Sequence, residues 1–278
     1  MPDRRLNFGL ICWMAGGLVL TQAQAALAQQ PPTAQSAIVA ISHRGEHLHH
    51  PENTIPAFLR AIDAGADFFE ADIRTTSDGK LVIMHDSTVN RTTEAQGPVK
   101  DLSFAQIESL DAGGRFSAEF KGTKAPTFDQ VLKLAHGKIN VYVDTKDADP
   151  QALVDAIEQN DMQDHVVIYG NAFFLYDVHK IRPELKIMPE ADSLDICRFL
   201  VHNLHPRVIA FGAEDFKPEI IACAKEGGAK VYVDRMGDTD NPAGWQQAID
   251  MGADGIQTDK PAELVEYLRA HHLWVAAW

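Results

Sequence analysis

Positive charge is scarce in this chain of 278 residues: 25 lysines and arginines stand against 39 aspartates and glutamates, a formal net charge of −14. So acidic a surface repels polyphosphate backbones, and no Lys/Arg stripe offsets it, which removes nucleic acid from the candidate partners. Any anionic substrate must instead be met by local cations or by a metal ion. Cysteine is nearly absent, with three in all. Cys12 falls in an N-terminal apolar run, which leaves Cys197 and Cys223, too few for a disulfide framework. They read as two small buried side chains, although an oxidising compartment would permit a bridge. A close His/Cys cluster of the kind that holds zinc is missing as well. Beyond the N-terminal run no stretch approaches membrane length, so stable membrane insertion is not expected. What remains, 45% hydrophobic and 23% charged residues, is ordinary globular composition and excludes disordered, collagen-like and coiled-coil chains.

The N-terminus has the order of a secretory signal. Arg4 and Arg5 precede the apolar run Leu6 to Leu20, and Ala23-Gln24-Ala25 or Ala26-Leu27-Ala28 then offers a cleavage site. The run, about 15 residues, is short of the roughly 20 needed to span a bilayer, which favours a cleaved leader over an anchor. Residues 1–28 are therefore expected to be a signal peptide and residues 29–37, with Pro31 and Pro32, a flexible tether. Residues 38–278 would form a single domain, exported to a periplasm or out of the cell.

From residue 38 short β-branched runs alternate with helical stretches. Candidate strands are Ile38–Ser42, Phe68–Ile73, Leu81–His85, Ile139–Asp144, Val166–Gly170, Lys186–Pro189, Val208–Phe211, Lys230–Asp234 and Gly255–Thr258. The clearest helix runs from Ile55 to Ala64, with Asn53 or Thr54 as cap, Pro56 in the first turn, Phe58, Leu59 and Ile62 on one face, and Gly65 as its stop. About eight strand–helix units predict a parallel (β/α)8 (TIM) barrel. With nine candidates, one of Lys186–Pro189 and Val208–Phe211 is expected to lie outside the barrel. Arg74 to Lys80 is too short for a crossover helix, so the second and third strands are joined either by an extended return or as a hairpin. Residues 86–126 form a long polar, Gly-rich insertion after the third strand, placed at the barrel mouth.

Strand parity separates the two faces of each run. Phe69, Ala71 and Ile73 share one face and Glu70 and Asp72 the other. Val141 and Val143 point outward while Tyr142, Asp144 and Lys146 point inward; Val231 and Val233 oppose Tyr232 and Asp234 in the same way. His43 and His85 each follow an apolar strand directly. Any one such residue reads as a cap or a structural group, but three inward carboxylates are costly to bury without a purpose. The C-terminal rim of such a barrel is where chemistry sits. Glu70, Asp72 and Asp144 suit one hard divalent cation, Mg²⁺ or Ca²⁺. His43 and His85 suit a general acid and a general base. Cations beside such a pair would stabilise an anionic, phosphoryl-like transition state.

Ser42-His43-Arg44-Gly45, Pro51-Glu52-Asn53-Thr54, Glu70-Ala71-Asp72, Thr76-Ser77-Asp78-Gly79, His85-Asp86 and Arg91-Thr92-Thr93 occur in that order, with Gln257-Thr258-Asp259-Lys260-Pro261 near the end. The ordered set resembles the glycerophosphodiester phosphodiesterase family. The resemblance implies a metal-dependent phosphodiester hydrolase on a (β/α)8 barrel, cleaving glycerophosphodiesters to an alcohol and glycerol 3-phosphate. It implies His43 and His85 as the acid–base pair, Glu70 and Asp72 as metal ligands joined by Asp144, Arg44 and Lys146 as phosphate contacts, and Glu52 and Asn53 as supports. The substrate would be a small-molecule phosphodiester; the nucleophile, water or the neighbouring glycerol hydroxyl, stays open, as does the oligomeric state. The resemblance also favours the extended return between the second and third strands.

Two departures stand out. Asp144-Thr145-Lys146 stands where the family has Glu-x-Lys, which is similar to sphingomyelinase D/phospholipase D enzymes and makes a lysophospholipid-cleaving enzyme the alternative. Val233-Asp234-Arg235 replaces the family's Trp-Thr, so a charged pair takes the place of an aromatic wall. An alternative of another class is an exported phosphodiester-binding protein without turnover. Glu46-His47-Leu48-His49-His50 reads as a solvated polar loop, with substrate contact or a second metal as its functional reading, and Glu190 is a further candidate at the mouth.

Overall fold

The computed structural model describes residues 37–274; the leader and all but the last residue of the tether lie outside the described residues. The strands are β1 (Val39–Ser42), β2 (Phe68–Thr75), β3 (Leu81–Ile83), β4 (Asn140–Thr145), β5 (Val166–Tyr169), β6 (Lys186–Met188), β7 (Val208–Phe211), β8 (Lys230–Asp234) and β9 (Gly255–Thr258). They are arranged β6-β5-β4-β2-β1-β9-β8-β7, with β3 attached to β2 alone. The β6–β7 seam is closed just beyond β6, where Ala210 N donates to Pro189 O at 2.9 Å and Ala191 N to Ala210 O at 3.2 Å. The result is the expected (β/α)8 barrel.

The surplus strand is not the one anticipated. Both Lys186–Met188 and Val208–Phe211 belong to the barrel, and β3 is outside it. The link from β2 to β3 is a hairpin, with Ile73 opposite Ile83 and Thr75 opposite Leu81 in antiparallel register, so the extended return is corrected. The turn explains the reversal: Thr76 Oγ1 donates to Asp78 Oδ1 at 2.6 Å and accepts from Lys80 N at 2.9 Å. The crossover from β2 to β4 therefore runs through β3, the insertion and a helix. The insertion folds over a small apolar cluster of its own that includes Val82, Met84, Val89, Val99 and Ile107.

The helices are α1 (Ile55–Ala64), α2 (Phe104–Ser109), α3 (Phe128–Ala135), α4 (Pro150–Gln159), α5 (Ala172–Ile181), α6 (Leu194–Asn203), α7 (Pro218–Glu226), α8 (Pro242–Met251) and α9 (Pro261–Ala270). α1 starts and stops where the sequence places it, with Gly65 in the left-handed conformation at φ 79°. Its buried face is Ala57, Phe58 and Ala61. Leu59, expected on that face, is 42% exposed, being one residue and so about 100° further round the helix. Thr54 occupies the cap position, but its hydroxyl donates to Pro51 O at 2.6 Å.

Parity divides the apolar side chains as expected. Phe69, Ala71, Ile73, Val141, Val143, Val231 and Val233 pack between the strands and the helices. Ile41, Tyr142, Val167, Met188, Val208 and Tyr232 fill the barrel interior. Phe58 stacks on Phe69 with ring centroids 4.4 Å apart, tying α1 to β2; each such buried ring is worth about 2–3 kcal/mol. The two cysteines are not separate buried side chains: Cys197 of α6 and Cys223 of α7 form a disulfide. Adjacent helices following consecutive strands bring their Cα atoms to 6.5 Å, within bridging range. Among the described residues no helix is long and apolar enough to cross a membrane.

Candidate active site

The chain turns sharply at the C-terminal end of β1. Arg44 and Gly45 take positive φ, 52° and 76°, and a Cβ on Gly45 would lie 2.7 Å from the Ala57 carbonyl carbon, so a side chain is excluded there. This turn points the Arg44 backbone N–H at Glu70 Oε2, 2.7 Å away. Asn53, also at positive φ (58°), locks the second loop against the first: its N–H donates to Arg44 O at 3.0 Å, and its amide donates to Asp72 Oδ2 at 2.6 Å. In return Asp72 N–H donates to Asn53 Oδ1 at 3.3 Å. Asn53 thus ties the Arg44 turn to Asp72.

Each histidine is oriented by a carboxylate. His43 Nδ1 lies 2.7 Å from Asp259 Oδ1 and His85 Nδ1 lies 2.8 Å from Asp86 Oδ1. An ionised carboxylate only accepts, so both rings carry the proton on Nδ1 and turn Nε2 to the cavity. Burial lowers the His43 pKa and Arg44 adds to this, against the raising effect of Asp259. Burial would raise Asp259, but the His43 hydrogen bond holds it low. Asp86 is held far below the ordinary carboxylate range, chiefly by Arg91. Arg91 bonds both Asp86 oxygens, at 2.9 and 3.0 Å, and both Glu52 oxygens, at 2.7 and 2.8 Å. Glu52 also accepts from Arg44 at 3.4 Å. It therefore acts at a distance from the cavity, by fixing the arginine that fixes Asp86.

Glu70, Asp72 and Asp144 converge, each offering one oxygen within 4.8 Å of the others. The shorter Asp144 still reaches the cluster. Burial drives the Glu70 pKa well above normal, and repulsion from Asp72 and Asp144 adds to it. Asp72 is buried too, but Lys146, Asn53 and Arg44 hold it below normal. Burial raises Asp144 despite Lys146. Lys146 Nζ lies 2.7 Å from Asp144 Oδ2 and 3.0 Å from Asp72 Oδ1, so its cation is committed in part to these acids. Asp72 Oδ1 is buried without a well-formed hydrogen bond. Three converging, mutually repelling oxygen donors, those of Glu70 and Asp72 buried and that of Asp144 partly so, fit a hard divalent cation.

His43, Arg44, Glu70, Asp72, His85, Asp144 and Lys146 all line one cavity of about 200 Å³. Glu52 and Asn53 stand behind it. Glu190 lines it as well, accepting from Tyr169 Oη at 2.7 Å. Of the histidine-rich loop, His47 is drawn to the site: its Nδ1 donates to His43 O at 2.8 Å and its Nε2 is 3.5 Å from Asp259 Oδ1. His49 and His50 pair with Glu46 instead. The expected charged pair of Asp234 and Arg235 does not form. Asp234 faces the cavity, whereas Arg235 is buried elsewhere, its guanidinium over Phe216 and donating to Asp234 O and Gly244 O. Burial, with Glu190 and Asp144 nearby, raises Asp234 to about 7.

Sequence reading missed the roles of Asp86, Asp240 and Asp259. Asp259 had a signal, since it follows β9 directly as His43 follows β1. Asp240 accepts from Trp245 Nε1 at 2.8 Å, Thr258 Oγ1 at 2.5 Å and Asp259 N at 2.8 Å, and so holds Asp259 in place.

Fold and site together define a (β/α)8-barrel enzyme whose rim joins two imidazole–carboxylate dyads to a cluster of three carboxylates able to hold a cation. The chain matches the model of the glycerophosphoryl diester phosphodiesterase family over residues 43–198. It is 34% identical over 249 residues to a glycerophosphodiester phosphodiesterase of Caldanaerobacter subterraneus subsp. tengcongensis, covering 83% of this chain and 98% of that one. Its structure is similar to that of a glycerophosphodiester phosphodiesterase from Agrobacterium tumefaciens, with TM-score 0.76, 29% identity and coverage of 82% and 99%. It also shares its fold with an Oleispira antarctica phosphodiesterase solved with the product sn-glycerol-3-phosphate, at TM-score 0.77, 21% identity and coverage of 84% and 97%. The chain belongs to the glycerophosphoryl diester phosphodiesterase family, whose members are phosphoric diester hydrolases.

Proposed function

We propose that this protein hydrolyses glycerophosphodiesters to an alcohol and glycerol 3-phosphate, with His43 and His85 as the acid–base pair. The observation that carries this reading is that two histidines, each tethered through Nδ1 to a carboxylate, line the same cavity as three converging carboxylates. Glu70, Asp72 and Asp144 would hold one divalent cation, Mg²⁺ or Ca²⁺, which supplies Lewis-acid stabilisation of phosphoryl charge when bound. Arg44 and Lys146 meet the phosphate oxygens. His43, whose burial favours the neutral imidazole, takes the proton from the nucleophile at Nε2, and Asp259 stabilises the imidazolium that forms. His85 reacts as the imidazolium, its Nδ1–H held by Asp86; it gives its Nε2 proton to the departing alkoxide and is left neutral. A protein that only captured phosphodiesters would need neither dyad, which disfavours a binding protein.

Export is part of the same proposal. The leader-like residues 1–28 and the Cys197–Cys223 disulfide both support an oxidising compartment, periplasmic or extracellular, with residues 38–278 as the working domain. The test is a panel of glycerophosphodiesters, lysophospholipids and cyclic phosphodiesters, with and without Mg²⁺ or Ca²⁺. Cation-dependent release of glycerol 3-phosphate is expected, and H43A or H85A should lower turnover by about 10²–10⁴-fold with the fold intact. Wild-type-like rates in both variants, or turnover of lysophospholipids alone, would overturn the assignment.

A further inference from the structure

Across the barrel from the histidines the cavity wall changes character. Glu190, Asp234 and Gln257 face it from beyond β6 and from β8 and β9. Asp234 and Gln257 are paired in register across β8 and β9, so their side chains point to the same side. Gln257 is only 6% exposed, yet its Oε1 has no hydrogen-bond partner. Among the described residues the Asp234 carboxylate receives no hydrogen bond either, because Arg235 turns away to Phe216 and Gly244. Glu190 keeps acceptor capacity beyond the single bond from Tyr169. This wall therefore presents acceptors and negative charge, while Arg44 and Lys146 present cations to the same small space.

We propose that Asp234, Glu190 and Gln257 form a specificity subsite for a primary ammonium group carried by the substrate, whose N–H donors they accept while its phosphate lies against Arg44 and Lys146. The proposal rests on the phosphodiesterase reading above and deepens it. Charge and donor count together select the ligand. A neutral diol offers hydroxyl donors but leaves two carboxylates uncompensated in a half-buried wall. A quaternary ammonium supplies the charge but has no N–H for the orphaned Gln257 oxygen or for Asp234. A primary ammonium supplies both, as three charge-assisted hydrogen bonds. In an aromatic-walled site this discrimination would be lacking, so the Asp234 substitution itself would set the preference.

The experiment compares kcat/KM of the purified protein, with divalent cation present, on glycerophosphoethanolamine, glycerophosphocholine and glycerophosphoglycerol. The ethanolamine diester is expected to exceed each of the others by about tenfold or more, the size of one charge-assisted contact. D234N should bring the ethanolamine-to-glycerol ratio down toward one, mainly through a raised KM, and E190Q should lower it by a smaller factor because Tyr169 already uses one of its oxygens. Hydrolysis of all three diesters within about twofold of each other would overturn the subsite while leaving the phosphodiesterase reading intact, as would a preference for the choline diester. No turnover of any diester would overturn the underlying reading and the subsite with it. Should D234N not fold, the wild-type ratio and E190Q still decide.

Discussion

Replacing Asp234 by Asn should stabilise the protein at alkaline pH. Burial, reinforced by Glu190 and Asp144, raises this carboxyl from the ordinary 3.8 to about 7. The native state therefore keeps a proton that the unfolded chain gives up. Between about pH 4 and pH 7 the native state binds more protons than the unfolded state, so this group makes stability fall as pH rises through that window. Above pH 7 both states are ionised and the full penalty is present. A gap of about three pH units at about 1.4 kcal/mol each is about 4 kcal/mol; solvent reaching the partly exposed carboxyl screens some of it, leaving about 2–4 kcal/mol. An asparagine of the same shape carries no such penalty. Urea unfolding of wild type and D234N in chelator, at about pH 4 and pH 8, should show equal stability in acid and a gain of about 2–4 kcal/mol for the variant in base. A gain independent of pH, or a loss at pH 8, would refute the reasoning. The same variant is expected to lose substrate discrimination, a stability–function trade-off within one residue.

Other consequences follow from the site and its supports. D259N keeps the shape beside His43 but replaces an acceptor-only carboxylate by an amide that can also donate, so neither the Nδ1–H tautomer nor the imidazolium is held; kcat should drop by about 10²–10⁴-fold with KM little changed, and equal losses in kcat and affinity would count against a positioning role. Chelation should abolish turnover, and adding Mg²⁺ or Ca²⁺ should raise Tm by several degrees by relieving the repulsion among Glu70, Asp72 and Asp144; a Tm shift that persists in E70Q would place the cation elsewhere. The Cys197–Cys223 bridge closes a sequence separation of 26, so C197A/C223A should lose about 3 kcal/mol of stability and keep its turnover rate, since neither cysteine lines the cavity.

Much of the site was legible because it depends on local periodicity. Once Phe68–Ile73 is read as a strand, the two-residue repeat puts Glu70 and Asp72 on one face and the apolar residues on the other, with no knowledge of the partner strands. The same holds for Asp144 and Lys146. The supports were harder. Asp86 adjoins His85 in sequence, but its function depends on Arg91 and Glu52, whose link spans 39 residues. Asp259 lies 216 residues from His43 and meets it only because β9 pairs with β1. The charged pair imagined at Asp234 and Arg235 failed for a simple reason: successive strand residues point to opposite faces, so the arginine went to the helix layer and the acid to the cavity.

The sequence by itself determined which segments are strands and helices, which face of each strand is polar, and hence that acids and imidazoles gather at one rim. Only the tertiary structure decided that Leu81–Ile83 folds back as a hairpin, that β6 and β7 both serve the barrel, and that the two cysteines bond. Backbone preference and hydrophobic period act over a few residues. The direction in which two strands pair, and which distant groups end as neighbours, is settled only when the whole ring of strands closes and every buried polar group must find a partner within it.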